Sequence, residues 1–142
     1  MITDSDNIRE KRLSLYKDDL DQIHSILKEF ISLADVNCTL LIDKDGYMVT
    51  NAGSLADIDM QGVATLVAGS FATARTMARL IGEDEFCILF HEGQSGNIQI
   101  NLVGDHSFLV SAFDARTTVG MVRLYAKEAA EKLVKVLKPV AR

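Results

Sequence analysis

Asp43-Lys44-Asp45-Gly46 sets two carboxylates two residues apart in front of a glycine, which is how a calcium-binding loop opens. Such a loop needs Gly at its sixth position and a bidentate Glu at its twelfth, whereas the twelfth residue counted from Asp43 is Ser54. A hairpin turn is the better reading. Cys87 and His91 would leave the same face of a strand, yet four residues of extended chain separate them by about 13 Å, too far to ligate one metal. A structural or interface role suits both. Ser95, in Gly93-Gln94-Ser95-Gly96, lacks the GxSxG spacing of a nucleophile elbow and reads as a turn. Neither GxxxxGK[ST] nor GxGxxG occurs, so no phosphate-cradling loop, no cofactor site and no catalytic site is expected. Arg75 and Arg79 stand one helical turn apart, where their cations could reach a bound partner or simply offset a helix dipole. Arg116 is either a further contact or a loop charge.

Composition narrows the classes further. The 142 residues suit one hydrophobic core, and 48% apolar with 25% charged residues is ordinary for a folded soluble domain. Net charge is −5 with the acidic residues scattered, so no basic stripe attracts nucleic acid. Two cysteines, Cys38 and Cys87, without CxxC spacing support neither a disulfide framework nor a four-cysteine zinc site. No signal-peptide pattern and no apolar run of about 18 residues is present, so a cytoplasmic protein with no membrane span is expected.

The elements that must position these residues follow from spacing. Residues 1 to 14 are mixed in charge and are expected to form a flexible tail ahead of a single domain over residues 15 to 139. Tyr16, Leu20, Ile23, Leu27, Phe30 and Ile31 recur three or four apart and predict a first helix from Leu15 to about Ala34. Cys38 to Asp43 and Tyr47 to Asn51 predict a hairpin about the Asp43–Gly46 turn. A second helix follows Asp57 or Asp59 as cap and ends at Gly82. Phe86 to Glu92, Asn97 to Val103 and Ser107 to Phe113 alternate in polarity and predict a three-stranded meander. The last helix opens near Thr117 or Thr118, carries Val122, Tyr125, Ala126, Ala129, Leu133, Val136 and Leu137 on one side, and stops before Pro139. The order α-β-β-α-β-β-β-α implies an α/β sandwich: a five-stranded antiparallel sheet with helices on both faces.

Helix two is the element that most wants a partner. It carries no charge from Met60 to Ala74; Val63, Leu66, Val67, Ala74, Met77, Ala78 and Ile81 are expected as its core stripe, with Ala64, Ala68, Phe71 and Ala72 on other faces. A surface helix normally wets one side, so a second apolar face implies burial against another chain. Gly69 in mid-helix costs roughly 1 kcal/mol relative to Ala and, among small neighbours, allows close backbone approach. The alternative is that these small residues only let the helix lie flat on its own sheet, and the two readings are compatible.

Thr65-Leu66-Val67-Ala68-Gly69-Ser70 followed by Ala78-Arg79-Leu80-Ile81-Gly82-Glu83 resembles helix two of Roadblock proteins of the bacterial MglB type. Phe113-Asp114-Ala115-Arg116-Thr117-Thr118-Val119-Gly120-Met121-Val122-Arg123 is similar to that family's closing motif. With Leu41-Ile42-Asp43-Lys44-Asp45-Gly46 and Phe90-His91-Glu92-Gly93, the likeness spans roughly residues 15 to 137. The resemblance implies a homodimer in which third strands join into one sheet and second helices pack side by side, as a platform for a Ras-like GTPase. MglB-type members stimulate GTP hydrolysis by the small GTPase MglA in cell polarity and motility, repositioning the GTPase's own catalytic groups in place of an arginine finger. Carried over, Ala68, Ala72, Arg75, Thr76 and Arg79 would lie on or near the GTPase and dimer surface, and Cys87, Leu89 and His91 near the dimer seam. Arg75 and Thr76 stand where smaller residues would ease close contact. Two other readings compete: a Roadblock scaffold that binds without activating, and a PAS-like ligand sensor, against which the six Phe, three Tyr and absent Trp argue.

Overall fold

The structure, a computed structural model, describes residues 4–55 and 57–137, with side chains from residue 19 onward. Its elements are α1 (Asp4–Ala34), β1 (Cys38–Asp43), β2 (Met48–Gly53), α2 (Met60–Leu80), β3 (Ile88–Glu92), β4 (Asn97–Val103), β5 (Ser107–Phe113) and α3 (Val119–Leu137). The expected order and the antiparallel sheet are both present. α1 begins earlier than periodicity indicates: residues 4 to 14, expected as tail, have helical backbone. Their Arg, Glu, Lys and Leu content favours helix without any apolar repeat to announce it. Pro139, expected as the stop of α3, lies outside the described residues.

The strands lie in the order β2-β1-β5-β4-β3. The β1–β2 hairpin and the β3–β4–β5 meander meet where β1 pairs with β5, Leu40 opposite Val110, which leaves β2 and β3 as edges. Alternation then divides the core. Leu41, Val103, Leu109 and Phe113 pack under Ile23, Leu27 and Phe30 of α1 and Val122, Ala126 and Leu133 of α3. Leu40, Ile42, Ile100, Phe108 and Val110 pack under Ala64, Val67 and Phe71 of α2. Beneath α3 the sheet also buries a polar row: Gln99 Nε2 donates to Asn101 Oδ1 at 2.8 Å, and Thr39 Oγ1 donates to the Val110 carbonyl at 2.8 Å.

α2 is set by its two ends. Asp59 caps it, its carboxylate accepting the Gly62 N–H at 3.0 Å. At the other end Gly82 adopts φ +86°, its N–H reaches the Arg79 carbonyl and the Glu83 N–H reaches Ala78, a double closure that left-handed glycine permits. The face so oriented buries Ala64, Val67, Phe71, Ala74 and Ala78. This corrects the expected stripe: Leu66, Met77 and Ile81 are exposed, and Phe71 is the core anchor, its ring stacked on Phe108 with centroids 4.3 Å apart. Small side chains beneath the helix bring it close to the sheet, and the larger aliphatics are turned outward.

Candidate functional site

Three flanking features of α2 define the exposed surface, and each has a local origin. The Asp43–Gly46 segment is a hairpin turn closed by its own carboxylate, with Asp43 Oδ1 accepting the N–H groups of Asp45 at 2.9 Å and Tyr47 at 3.0 Å. Gly46 turns there with φ +92°, and a side-chain carbon on it would lie 3.2 Å from Thr65 Cα and 3.5 Å from Ala68 Cβ. Gln61 Nε2 donates to the Gly46 carbonyl at 2.8 Å, so the turn is tied to the first turn of α2. The β1–β2 hairpin therefore covers one side of the helix.

On that same side run Ala68, Ala72, Arg75 and Arg79, spaced four, three and four residues apart as one helical flank requires. Ala68 is half-buried, Ala72 and Arg79 are exposed, and Thr76 is exposed between the flanks. Arg75 is engaged: its guanidinium Nη2 lies 2.6 Å from Glu85 Oε1, and Nε donates to the same oxygen at 3.2 Å. It bridges α2 to the segment leading into β3.

The opposite flank repeats the same spacing in Leu66, Ser70, Thr73 and Met77. Together with Gly69 it forms one wall of an open groove whose other wall is Leu89 and His91 of β3. Leu66 is 72% exposed, Met77 54% and Leu80 81%, an unusual concentration of aliphatic surface on one helix. β3 borders this groove as a sheet edge, paired on one side only, with β4. Cys87 is exposed one residue before β3, and its carbonyl accepts the Leu102 N–H at 2.9 Å.

The two groups of anticipated residues lie on different sides of α2. Leu89 and His91 are brought together with Leu66, Gly69, Ser70 and Met77, and not with Ala68, Ala72, Arg75 and Arg79, which lie across the buried ridge of the helix. Leu66 and Met77 belong to this surface and not to the core, a distinction that the all-round apolar pattern of the helix hides. Leu80, two residues before the glycine terminator, does carry a signal in the sequence, since a helix end wound against solvent exposes its last aliphatics.

The closing motif is a hydrogen-bonded corner. Asp114 Oδ1 accepts the backbone N–H of Arg116 at 3.0 Å and its side-chain Nε at 3.2 Å, while Asn37 Nδ2 donates to Asp114 Oδ2 at 3.3 Å. The Arg116 N–H foremost holds the carboxyl below its usual range; desolvation opposes it, and the Asn37 and Arg116 side chains add smaller lowering effects. Thr118 Oγ1 accepts the Met121 N–H at 3.2 Å and caps α3. Among the described residues no group of three or more His, Cys, Asp or Glu is placed to hold a metal ion, and no helix is long and apolar enough to cross a membrane.

This chain belongs to the Roadblock/LC7 domain family, which matches residues 22–113. Among solved structures it is similar to Myxococcus xanthus MglB, with 34% identity and a TM-score of 0.81 over 86% of this chain and 92% of that one. It is similar also to the gliding protein MglB of Thermus thermophilus, at 28% identity and TM-score 0.81 over 85% and 92% of the two chains. A third structure, of MglB in a tetrameric arrangement, gives 28% identity and TM-score 0.83 over 86% and 92%. No curated protein sequence matches. The α-β-β-α-β-β-β-α sandwich is the Roadblock fold, as the motifs in α2 and at the start of α3 imply.

Proposed function

We propose that this protein is a homodimeric, cytoplasmic regulator that binds a Ras-like small GTPase of the MglA type and stimulates its GTP hydrolysis. The observation that carries the reading is the aliphatic flank of α2, Leu66 and Met77, running beside the free edge of β3 in a chain that shares 34% identity with MglB over most of its length. A two-fold axis through paired β3 edges would set both α2 helices on the same face of a continuous sheet and bring these aliphatic flanks together. The outer flanks, Ala68, Ala72 and Arg79 with Thr76, would then be offered to the GTPase. Arg75, tied to Glu85, is occupied in holding the α2–β3 connection and fits a contact better than a finger inserted into a nucleotide site.

The test is phosphate release from a purified MglA-type GTPase of the same organism, loaded with GTP, with and without excess of this protein. Acceleration that survives in Arg75→Ala and Arg79→Ala variants supports an activator that supplies no catalytic arginine from those positions. Binding without acceleration makes the protein a scaffold. Absence of both refutes a role on that GTPase.

A further inference from the structure

Of the side chains that line the groove between α2 and β3, His91 alone can change its charge; those around it are Thr65, Leu66, Ser70, Met77, Leu89 and small neighbours. Across the sheet it stands opposite Ile98 of β4, which packs on the same α2 side as Leu89. The charged groups nearby in the chain are directed elsewhere. Glu92 alternates to the face of Phe90, which packs toward α1 and α3. Asp59, at the start of α2, accepts the Gly62 N–H at 3.0 Å, and Glu85, ahead of the far end of β3, is paired with Arg75. Arg79 lies on the opposite flank of α2, and the helix carries no charge from Met60 to Ala74.

The free edge of β3 restricts what a second copy can bring to His91. The Cys87 carbonyl accepts the Leu102 N–H, and the Gly93 N–H donates to the Gly96 carbonyl. Odd-numbered residues of the strand therefore direct their backbone groups toward β4, and Ile88, Phe90 and Glu92 direct theirs outward. In the two-fold pairing of β3 edges, the axis exchanges strands and not faces, so residues opposite one another lie on the same side of the joined sheet. Full overlap of two five-residue strands centres the axis on Phe90 and sets His91 opposite Leu89 of the partner subunit. Moving the axis by one residue sets it opposite Cys87 or His91 of the partner subunit. None of these three registers brings a carboxylate to the imidazole.

We propose that His91 makes the dimer proton-gated, an inference that rests on the β3-edge dimer of the proposed function. The neutral imidazole is enclosed among Ile98, Leu66 and the partner's strand, and its protonation separates the subunits and with them the paired α2 platform. Histidine changes charge between about pH 5 and 8, and a cation enclosed without a counter-charge is disfavoured. The sign follows from linkage: the dimer holds fewer protons than two free chains, so association is strongest at high pH and weakens as pH falls.

The experiment is sedimentation of the full chain over a concentration series at about pH 8 and pH 5.5, with circular dichroism to follow the fold. The expected result is a dimer at pH 8 whose dissociation constant rises at least tenfold at pH 5.5, two imidazoles being charged per dimer. His91→Gln, which keeps a polar side chain that takes no proton, should dimerise alike at both pH values. His91→Lys carries a permanent charge and should be a folded monomer at both; if the parent unfolds at pH 5.5, this variant at pH 8 decides, and a dimeric His91→Lys overturns the gate. Equal affinity of the parent at both pH values, or a pH dependence that survives in His91→Gln, overturns the gate and leaves the dimer standing. A parent monomeric at every concentration at pH 8 removes the dimer itself, and the gate with it.

Discussion

Arg75 and Glu85 form a two-point ion pair, with Nη2 and Nε both on Oε1 at 2.6 and 3.2 Å, that spans the turn between α2 and β3. Because the Arg75 side chain is 42% exposed, solvent screens the pair. Arg75→Ala should therefore cost less than about 1 kcal/mol in a urea melt. It should also retain stimulation of the GTPase; a loss of stimulation with unchanged binding would make Arg75 the catalytic contribution after all.

The two flanks of α2 should separate genetically. If the proposed dimer forms through these flanks, Leu66→Arg puts a charge on the β3-side flank and should convert dimer to monomer in sedimentation. Ala72→Arg, on the hairpin side, should leave the dimer intact and abolish GTPase binding. Both positions are exposed, so both variants should melt within a few degrees of the parent. Identical behaviour of the two would show that the flanks do not divide the work.

Phe71 is 1% exposed and stacked on Phe108, and it is the largest side chain joining α2 to the sheet. Phe71→Ala should cost about 3–5 kcal/mol by denaturant unfolding. A cost near 1 kcal/mol would mean that the small residues around it close the cavity.

Gly53 and Gly82 both have left-handed backbone, at φ +75° and +86°, but differ in surroundings. An added carbon on Gly82 meets nothing, so Gly82→Ala should cost about 1–2 kcal/mol from backbone strain alone. On Gly53 the same carbon would lie 2.4 Å from the Asn37 carbonyl oxygen, and Gly53→Ala should be the more damaging in the same unfolding assay.

Cys38 is fully buried, and burial raises its thiol pKa above the ordinary thiol range. The sign follows from linkage: the stabilising contribution is complete below the unfolded thiol's pKa and is lost as pH rises through the raised folded value. Alkaline destabilisation should be milder in Cys38→Ala than in the parent. In native protein at neutral pH, iodoacetamide should label Cys87 and leave Cys38 unmodified until urea unfolds the chain, as mass spectrometry would show.

Local chemistry made much of this molecule legible in one dimension. The carboxylate-closed turn after Asp43, the Asp59 cap, the Gly82 terminator and the alternation of β4 and β5 each involve residues within a few positions of one another, so sequence alone determined the elements and their order. Motifs in α2 and at the start of α3 likewise pointed to the family. Tertiary structure decided what depends on distant partners. Periodicity could not choose a buried face for a helix apolar nearly all round, and packing chose Ala64, Phe71 and Ala78 over Leu66 and Met77 because the smaller residues let α2 approach the sheet. The pairing of β1 with β5 made β3 an edge, and α3 buried Gln99 and Asn101, whose alternation alone suits a wet face. Both are contacts between residues far apart in the chain, for which no local pattern carries a signal, and the first of them leaves β3 at the sheet edge that borders the groove beside Leu89 and His91.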